Sequence, residues 1–209
     1  MLIHISIFCT GAAIFSYLNK VIYQTSISNL IKNTPPPHIL MNLLGGLTAT
    51  GCYFKFGLEL QTIIVFTFLT TLTAIAIIDK ETMNIPNELI IEVMIVAIIS
   101  IHFFPEISLL SRITGIISVS GILLIITLIV PGAFGGGDIK LMAASGIFLG
   151  GKSCLAAFII AILTAGAYGI YLLATQKKGR KDHFAFGPFL CIGMAISVIG
   201  GEPLQQCFF

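Results

Sequence analysis

The chain has 209 residues, 56% of them hydrophobic and 10% charged, with a net charge of +2. A water-soluble domain carries about 25% charged residues, so this composition excludes a globule clothed in polar side chains and makes lipid the solvent for much of the surface. The small net charge gives no reason to expect a nucleic-acid partner, and the length fits one membrane domain, residues 1–209, with short loops.

A bilayer core takes about 20 apolar residues of helix. Eight runs approach that length: Leu2–Tyr23, Leu40–Phe56, Leu60–Ile78, Asn87–Phe104, Ile113–Val130, Ile139–Gly151, Ser153–Thr175 and Phe184–Ile199. The predicted fold class is therefore all-α, a polytopic bundle of about eight transmembrane segments. The first run has no basic segment before it and Lys20 after it, the reverse of the charge order of a cleavable signal, so it reads as a retained span. Pro35, Pro36 and Pro37 close the loop that follows, Gln24–Ile39, because consecutive prolines cannot continue a helix. The sixth run is short for a crossing. It is kept because dropping it would put the cluster Lys177, Lys178, Arg180 and Lys181 on the outer side.

Cytoplasmic loops hold the excess of Lys and Arg. With the N-terminus outside, Lys20, Lys32, Lys80, Lys140, Lys177, Lys178, Arg180 and Lys181 lie inside, and Lys55, Arg112 and Lys152 lie outside. That orientation places both chain ends outside.

Acidic groups are expensive in a bilayer, so their positions carry information. Glu59, Glu81, Glu106, Asp182 and Glu202 fall in loops or the tail and read as solvated charges. Asp79 ends an apolar run at the cytoplasmic mouth of the third span. Alone, it reads as a helix-end carboxylate beside Lys80. Asp138 follows Gly135, Gly136 and Gly137, and alone it reads as a helix N-cap. The pair reads differently, because both acids belong to the same membrane face beside unusual backbone. The three glycines permit positive φ and close approach of another chain. Two carboxylates brought close share a proton, so one can act as general base on water while the other donates to a carbonyl. Glu88 and Glu92 share a face of the fourth span after Pro86 and Asn87. They read as wet carboxylates at a helix start, with Glu92 deep enough to line a cavity.

Cys9, Cys52, Cys154, Cys191 and Cys207 form no closely spaced pair, and His4, His38, His102 and His183 lie far apart. No metal site is expected from them, and the cysteines read as small buried side chains.

Four segments, in order, resemble the type IV prepilin peptidase (leader peptidase) family of GxGD membrane aspartyl proteases. They are GAAIFSYLNKVIY at Gly11–Tyr23, the stretch from Asp79 to Ile85, Pro86 and Asn87, FGGGDIKLMAASGIFLGG at Phe134–Gly151, and Phe186–Leu190. The resemblance implies a membrane aspartic endopeptidase with Asp79 and Asp138 as catalytic residues. It also implies Gly135 and Gly137 as the motif glycines, and Lys140, Pro86 and Asn87 as supporting or substrate-binding residues. The implied substrate is a prepilin or pseudopilin, cleaved after a Gly that ends a short basic leader, at the cytoplasmic side of the bacterial inner membrane. Hydrolysis requires no cofactor; S-adenosylmethionine enters only if the protein also methylates its product. Many family members carry two cysteine pairs suited to zinc in the loop after the first span, whereas Gln24–Ile39 is short and has no cysteine.

Two other readings compete. A small ion- or proton-coupled transporter would also place carboxylates and glycine-broken helices in a membrane, although the two halves of this chain show no symmetry. A serine intramembrane protease would need Ser145 and His183, but Ser145 lies among Ala143, Ala144 and Gly146, a pattern of close helix packing.

Overall fold

A computed structural model of the chain describes residues 2–24, 38–175 and 184–208, with side chains at 4–20, 41–175 and 184–201. Among these residues there is no strand, and eight helices form an all-α bundle. They are α1 (Leu2–Gln24), α2 (His38–Phe56), α3 (Leu60–Thr82), α4 (Asn87–Phe103), α5 (Leu109–Ile129), α6 (Gly136–Leu149), α7 (Gly151–Ala174) and α8 (Gly187–Phe208). Helices α3, α5 and α7 are each long and apolar enough to cross a membrane. The outward faces of α4 and α5 carry large apolar side chains such as Ile95, Ile98, Leu124 and Leu128, as a lipid-facing surface requires. The chain is a multi-pass membrane protein.

Lipid tails are as apolar as the helices, so the bundle is held by close packing and internal hydrogen bonds. A Cβ on Gly115 would overlap the Gly146 carbonyl, one on Gly146 would overlap Gly115, and Gly11 and Gly45 stand in the same relation between α1 and α2. The small residues around Ser145 do serve close packing. Ser145 itself is fully buried inside α6, which removes it from the role of an accessible nucleophile; its proposed partner His183 lies outside the described residues. The Phe68 and Phe148 rings stack 4.1 Å apart and join α3 to α6. Thr67, Thr70 and Thr73 return their hydroxyl hydrogens to carbonyls one turn back, so these polar groups of α3 are satisfied within the helix.

The short sixth run has a structural explanation. Helix α6 begins at Gly136, three residues earlier than expected, and still has only 14 residues. Only Gly136 and Lys140 of it are exposed, because α4, α5, α7 and α8 pack around it. A helix shielded by protein need not match the lipid thickness. Gly150, at φ 75°, ends α6 and starts α7 without a loop.

Two other expectations are corrected. Arg112 is not a loop residue: α5 starts at Leu109, and Arg112 is buried. Its guanidinium donates to the Ile147 carbonyl at 2.6 Å, the Phe104 carbonyl at 2.8 Å, the Ser100 hydroxyl at 3.1 Å and the Ile107 carbonyl at 3.2 Å. A cation there meets the exposed carbonyls at the C-terminal ends of α4 and α6, where the helix dipole favours it. Helix α8 continues past Ile199 to Phe208, broken at Gly201 by φ 57° and ψ −143°. Lys55 caps that break by donating to the Val198 carbonyl at 2.6 Å and the Ile199 carbonyl at 3.0 Å. The Gln24–Ile39 segment is helical at 24, 38 and 39, and the rest of it lies outside the described residues, as does the Lys177–Lys181 cluster.

Candidate active site

Asp79 lies one turn inside the end of α3 rather than at its last residue, and it is buried. The helix continues to Thr82 and stops at Met83, whose left-handed φ of 53° turns the chain while its N–H donates to the Asp79 carbonyl at 2.8 Å. The turn leads through buried Ile85 to Pro86, which caps α4, so that Asn87 is the first helical residue. Proline suits the cap because its ring blocks the preceding residue from helical backbone.

Asp138 is also buried, and it too occupies a different place from the one expected. Gly135 is the N-cap of α6, and Asp138 is the third helical residue, reaching back so that its Oδ2 accepts the Gly135 N–H at 3.2 Å. None of Gly135, Gly136 and Gly137 has positive φ; in this stretch that conformation belongs to Gly132, at 82°. Two of the motif glycines are required for space instead. A Cβ on Gly137 would come 3.0 Å from the Ile85 Cβ, and one on Gly135 would come 3.3 Å from the Asp138 carboxylate. Gly137 therefore seats the start of α6 directly on the turn that follows Asp79.

The two acids come together from separate helices. Asp138 lies within electrostatic reach of Asp79, and the buried thiol of Cys191 on α8 lies within reach of both. Asp79 is held by a third element: its Oδ2 accepts the N–H of Gly187, the first residue of α8, at 3.0 Å. An N–H at a helix start is unsatisfied within the helix and favours a carboxylate. Each acid thus gives one oxygen to a single backbone donor. Among the described residues, the other oxygen of each accepts no hydrogen bond and is left for a ligand or water. The Phe134 and Phe186 rings, 5.2 Å apart, close the loop before α6 against the segment before α8.

Of the supporting residues, Lys140 donates to the Asn87 side chain at 3.1 Å, tying α6 to the start of α4 at an exposed position. Glu88 is exposed in the first turn of α4. Glu92 does not join the acid pair. Its Oε1 accepts the Thr71 hydroxyl at 2.9 Å along the α3–α4 seam, two turns of α3 away from Asp79. Sequence reasoning missed Gly187 and Cys191. The stretch Phe186–Leu190 does stand out as a motif, but a Gly-Pro step at a helix start gives no sign that its N–H meets a residue 108 positions away.

The family model described as "Type IV leader peptidase family" matches residues 66–170, which includes both acids. The chain is similar to a prepilin leader peptidase/N-methyltransferase of Bacillus subtilis, 28% identical over 160 residues, covering 74% of this chain and 64% of the relative. A protein of the same description from Burkholderia pseudomallei is 26% identical over 172 residues, covering 78% of this chain and 55% of the relative. Another from Legionella pneumophila is 36% identical over 70 residues, covering 34% of this chain and 24% of the relative. The chain spans less than two thirds of the length of each of these relatives. No solved structure matches it.

Proposed function

Because the chain belongs to the type IV leader peptidase family, we propose that it is a membrane aspartic endopeptidase that removes the basic leader from type IV prepilins or pseudopilins. The observation that carries this reading is a pair of buried carboxylates, Asp79 and Asp138, within electrostatic reach of each other, each fixed by one backbone N–H and each with a second oxygen uncommitted among the described residues. One proton shared between them equips the pair for both halves of amide hydrolysis. The ionised carboxylate takes a proton from water as the water oxygen attacks the scissile carbonyl carbon. The protonated carboxyl gives its proton to the carbonyl oxygen, forming a neutral tetrahedral diol. Collapse of the diol breaks the C–N bond, a proton passes to the departing nitrogen, and the products are a free carboxyl on the leader and a free amine on the pilin. The proton belongs to the pair rather than to either residue. The step uses water and no covalent intermediate, metal or cofactor.

The assignment of the site to the cytoplasmic side of the bacterial inner membrane rests on the distribution of Lys and Arg and on the substrate chemistry. A basic leader stays in the cytosol while the apolar helix after it enters lipid, so the scissile bond lies at the inner boundary. We assign to this chain only the peptidase half of the relatives' names, because the segment at 24–39 is short and lacks the cysteine pairs.

Co-expression with a prepilin tests the reading. The protein should shorten the prepilin by its leader, and Asp79→Asn and Asp138→Asn should each abolish processing while the variants still insert in the membrane. Ion flux in vesicles with the leader left intact would establish the transporter reading instead.

A further inference from the structure

A cavity of about 830 Å³ opens at the end of the bundle away from the acids, within the range of roughly 300–1,000 Å³ typical of small-molecule sites. Three helices fix that distance. Val65 in the cavity and Asp79 are 14 residues apart on α3, which is roughly 21 Å at the helical rise. On α6, Phe148 and Leu149 line the cavity and Asp138 stands at the other end; on α8, Ser197 and Val198 line it and Gly187 stands at the other end. The cavity is therefore separate from the acid pair.

Its chemistry divides by depth. The inner wall is apolar, built from buried Val65, Phe104, Phe148 and Leu149. The rim carries Lys55 and Lys152, with Ser108 and Ser111. Lys55 gives two of its three hydrogens to the Val198 and Ile199 carbonyls and keeps one. Lys152 is exposed and makes no hydrogen bond among the described residues. The Ser108 oxygen accepts the Ser111 N–H and the Ser111 oxygen accepts the Gly151 N–H, so the hydroxyl hydrogen of each remains to be offered. Glu106 also lies on the rim, near buried Arg112 but with no ion pair between them among the described residues, so that two lysines against one carboxylate leave the rim net positive. The rim therefore presents two cations and hydroxyl donors to a ligand, above a wall that suits hydrocarbon.

We infer that this cavity binds an acidic phospholipid, with an acyl chain along Val65, Phe104, Phe148 and Leu149 and the phosphate between Lys55 and Lys152. A free anion would find the donors but leave the apolar wall empty; a zwitterionic lipid would fill the wall but bring its own cation to a cationic rim. Neither satisfies both layers.

The test is native mass spectrometry of the whole protein released from a maltoside detergent and titrated with dioleoylphosphatidylglycerol or dioleoylphosphatidylcholine. The phosphatidylglycerol adduct should form at roughly fivefold lower concentration, the effect of about one lysine–headgroup contact. Lys152→Gln should remove most of that preference. Lys20→Gln, an exposed lysine on α1 away from the cavity, should keep it. Inorganic phosphate should not displace the lipid. Equal affinity for the two lipids, an equal loss from both lysine variants, or displacement by phosphate alone would each overturn the inference. Thermal unfolding of lipid-free Lys152→Gln should match that of the parent, which separates lost binding from lost folding.

Discussion

Replacing Gly187 with Ala is the sharpest probe of how Asp79 is held. The new Cβ would stand 2.6 Å from the Asp79 Oδ2, 3.0 Å from its Cγ and 3.3 Å from its Cβ. Non-bonded heavy atoms settle near 3.5 Å, so the carboxylate must retreat by roughly 1 Å. Retreat also stretches the 3.0 Å bond from the Gly187 N–H beyond hydrogen-bond range. A hydrogen bond to a charged group contributes about 1.5–3 kcal/mol, and a displacement of about 1 Å at a reacting group lowers rate by roughly 100-fold. Gly187→Ala should therefore slow leader removal by about two orders of magnitude while the protein keeps its helix content. Gly136→Ala is the matched control: nothing lies within 4 Å of its would-be Cβ, and its rate should stay within about twofold of the parent. The measurement is the rate of leader loss from a purified prepilin on a gel, with circular dichroism on the same samples. A folded Gly187→Ala protein that cleaves within about threefold of the parent would refute the claim that the N-terminus of α8 positions Asp79.

Other perturbations separate packing from chemistry. Arg112→Met strands buried carbonyls of α4 and α6 and should lower stability by about 3–5 kcal/mol, read as a fall in the unfolding temperature in detergent; Arg112→Lys should rescue little of it, because an ammonium cannot reach several acceptors in one plane. Gly146→Leu should prevent accumulation of folded protein by forcing α5 from α6, whereas Gly121→Leu, whose Cβ would meet only an Ile117 methyl at 3.8 Å, should accumulate normally on an immunoblot of membranes. Lys140→Met removes an exposed link to Asn87 and should change leader removal by less than about threefold, because an exposed hydrogen bond contributes roughly 1 kcal/mol or less.

Helix number and most boundaries were legible because the apolar runs are long and the breaks between them carry glycine, proline or charge. The pairing of Asp79 with Asp138 as a candidate site was legible for a related reason: an acid at the end of an apolar run is costly and therefore conspicuous. Their local geometry was not. A glycine run reads equally well as positive φ or as steric room, and only the position of Ile85 against Gly137 shows that room is what it provides. Arg112 looked like a loop charge because sequence offers no sign of the carbonyls waiting at the ends of α4 and α6. Gly187 escaped notice because its role depends on contact between the two far-separated helices α3 and α8. What sequence conveys poorly here is partnership at long range, above all where one partner is backbone.

The fan of bonds from Arg112 has a mechanical consequence. It fastens α4, α5 and α6 at one end, while the opposite end, where the acids sit, is joined by single bonds such as Lys140 to Asn87 and Gly187 to Asp79. A bundle riveted at one pole yields more readily at the other, so under the proposed function a peptide would enter by parting the helix tips around the acids, with the Arg112 end as the fixed pivot.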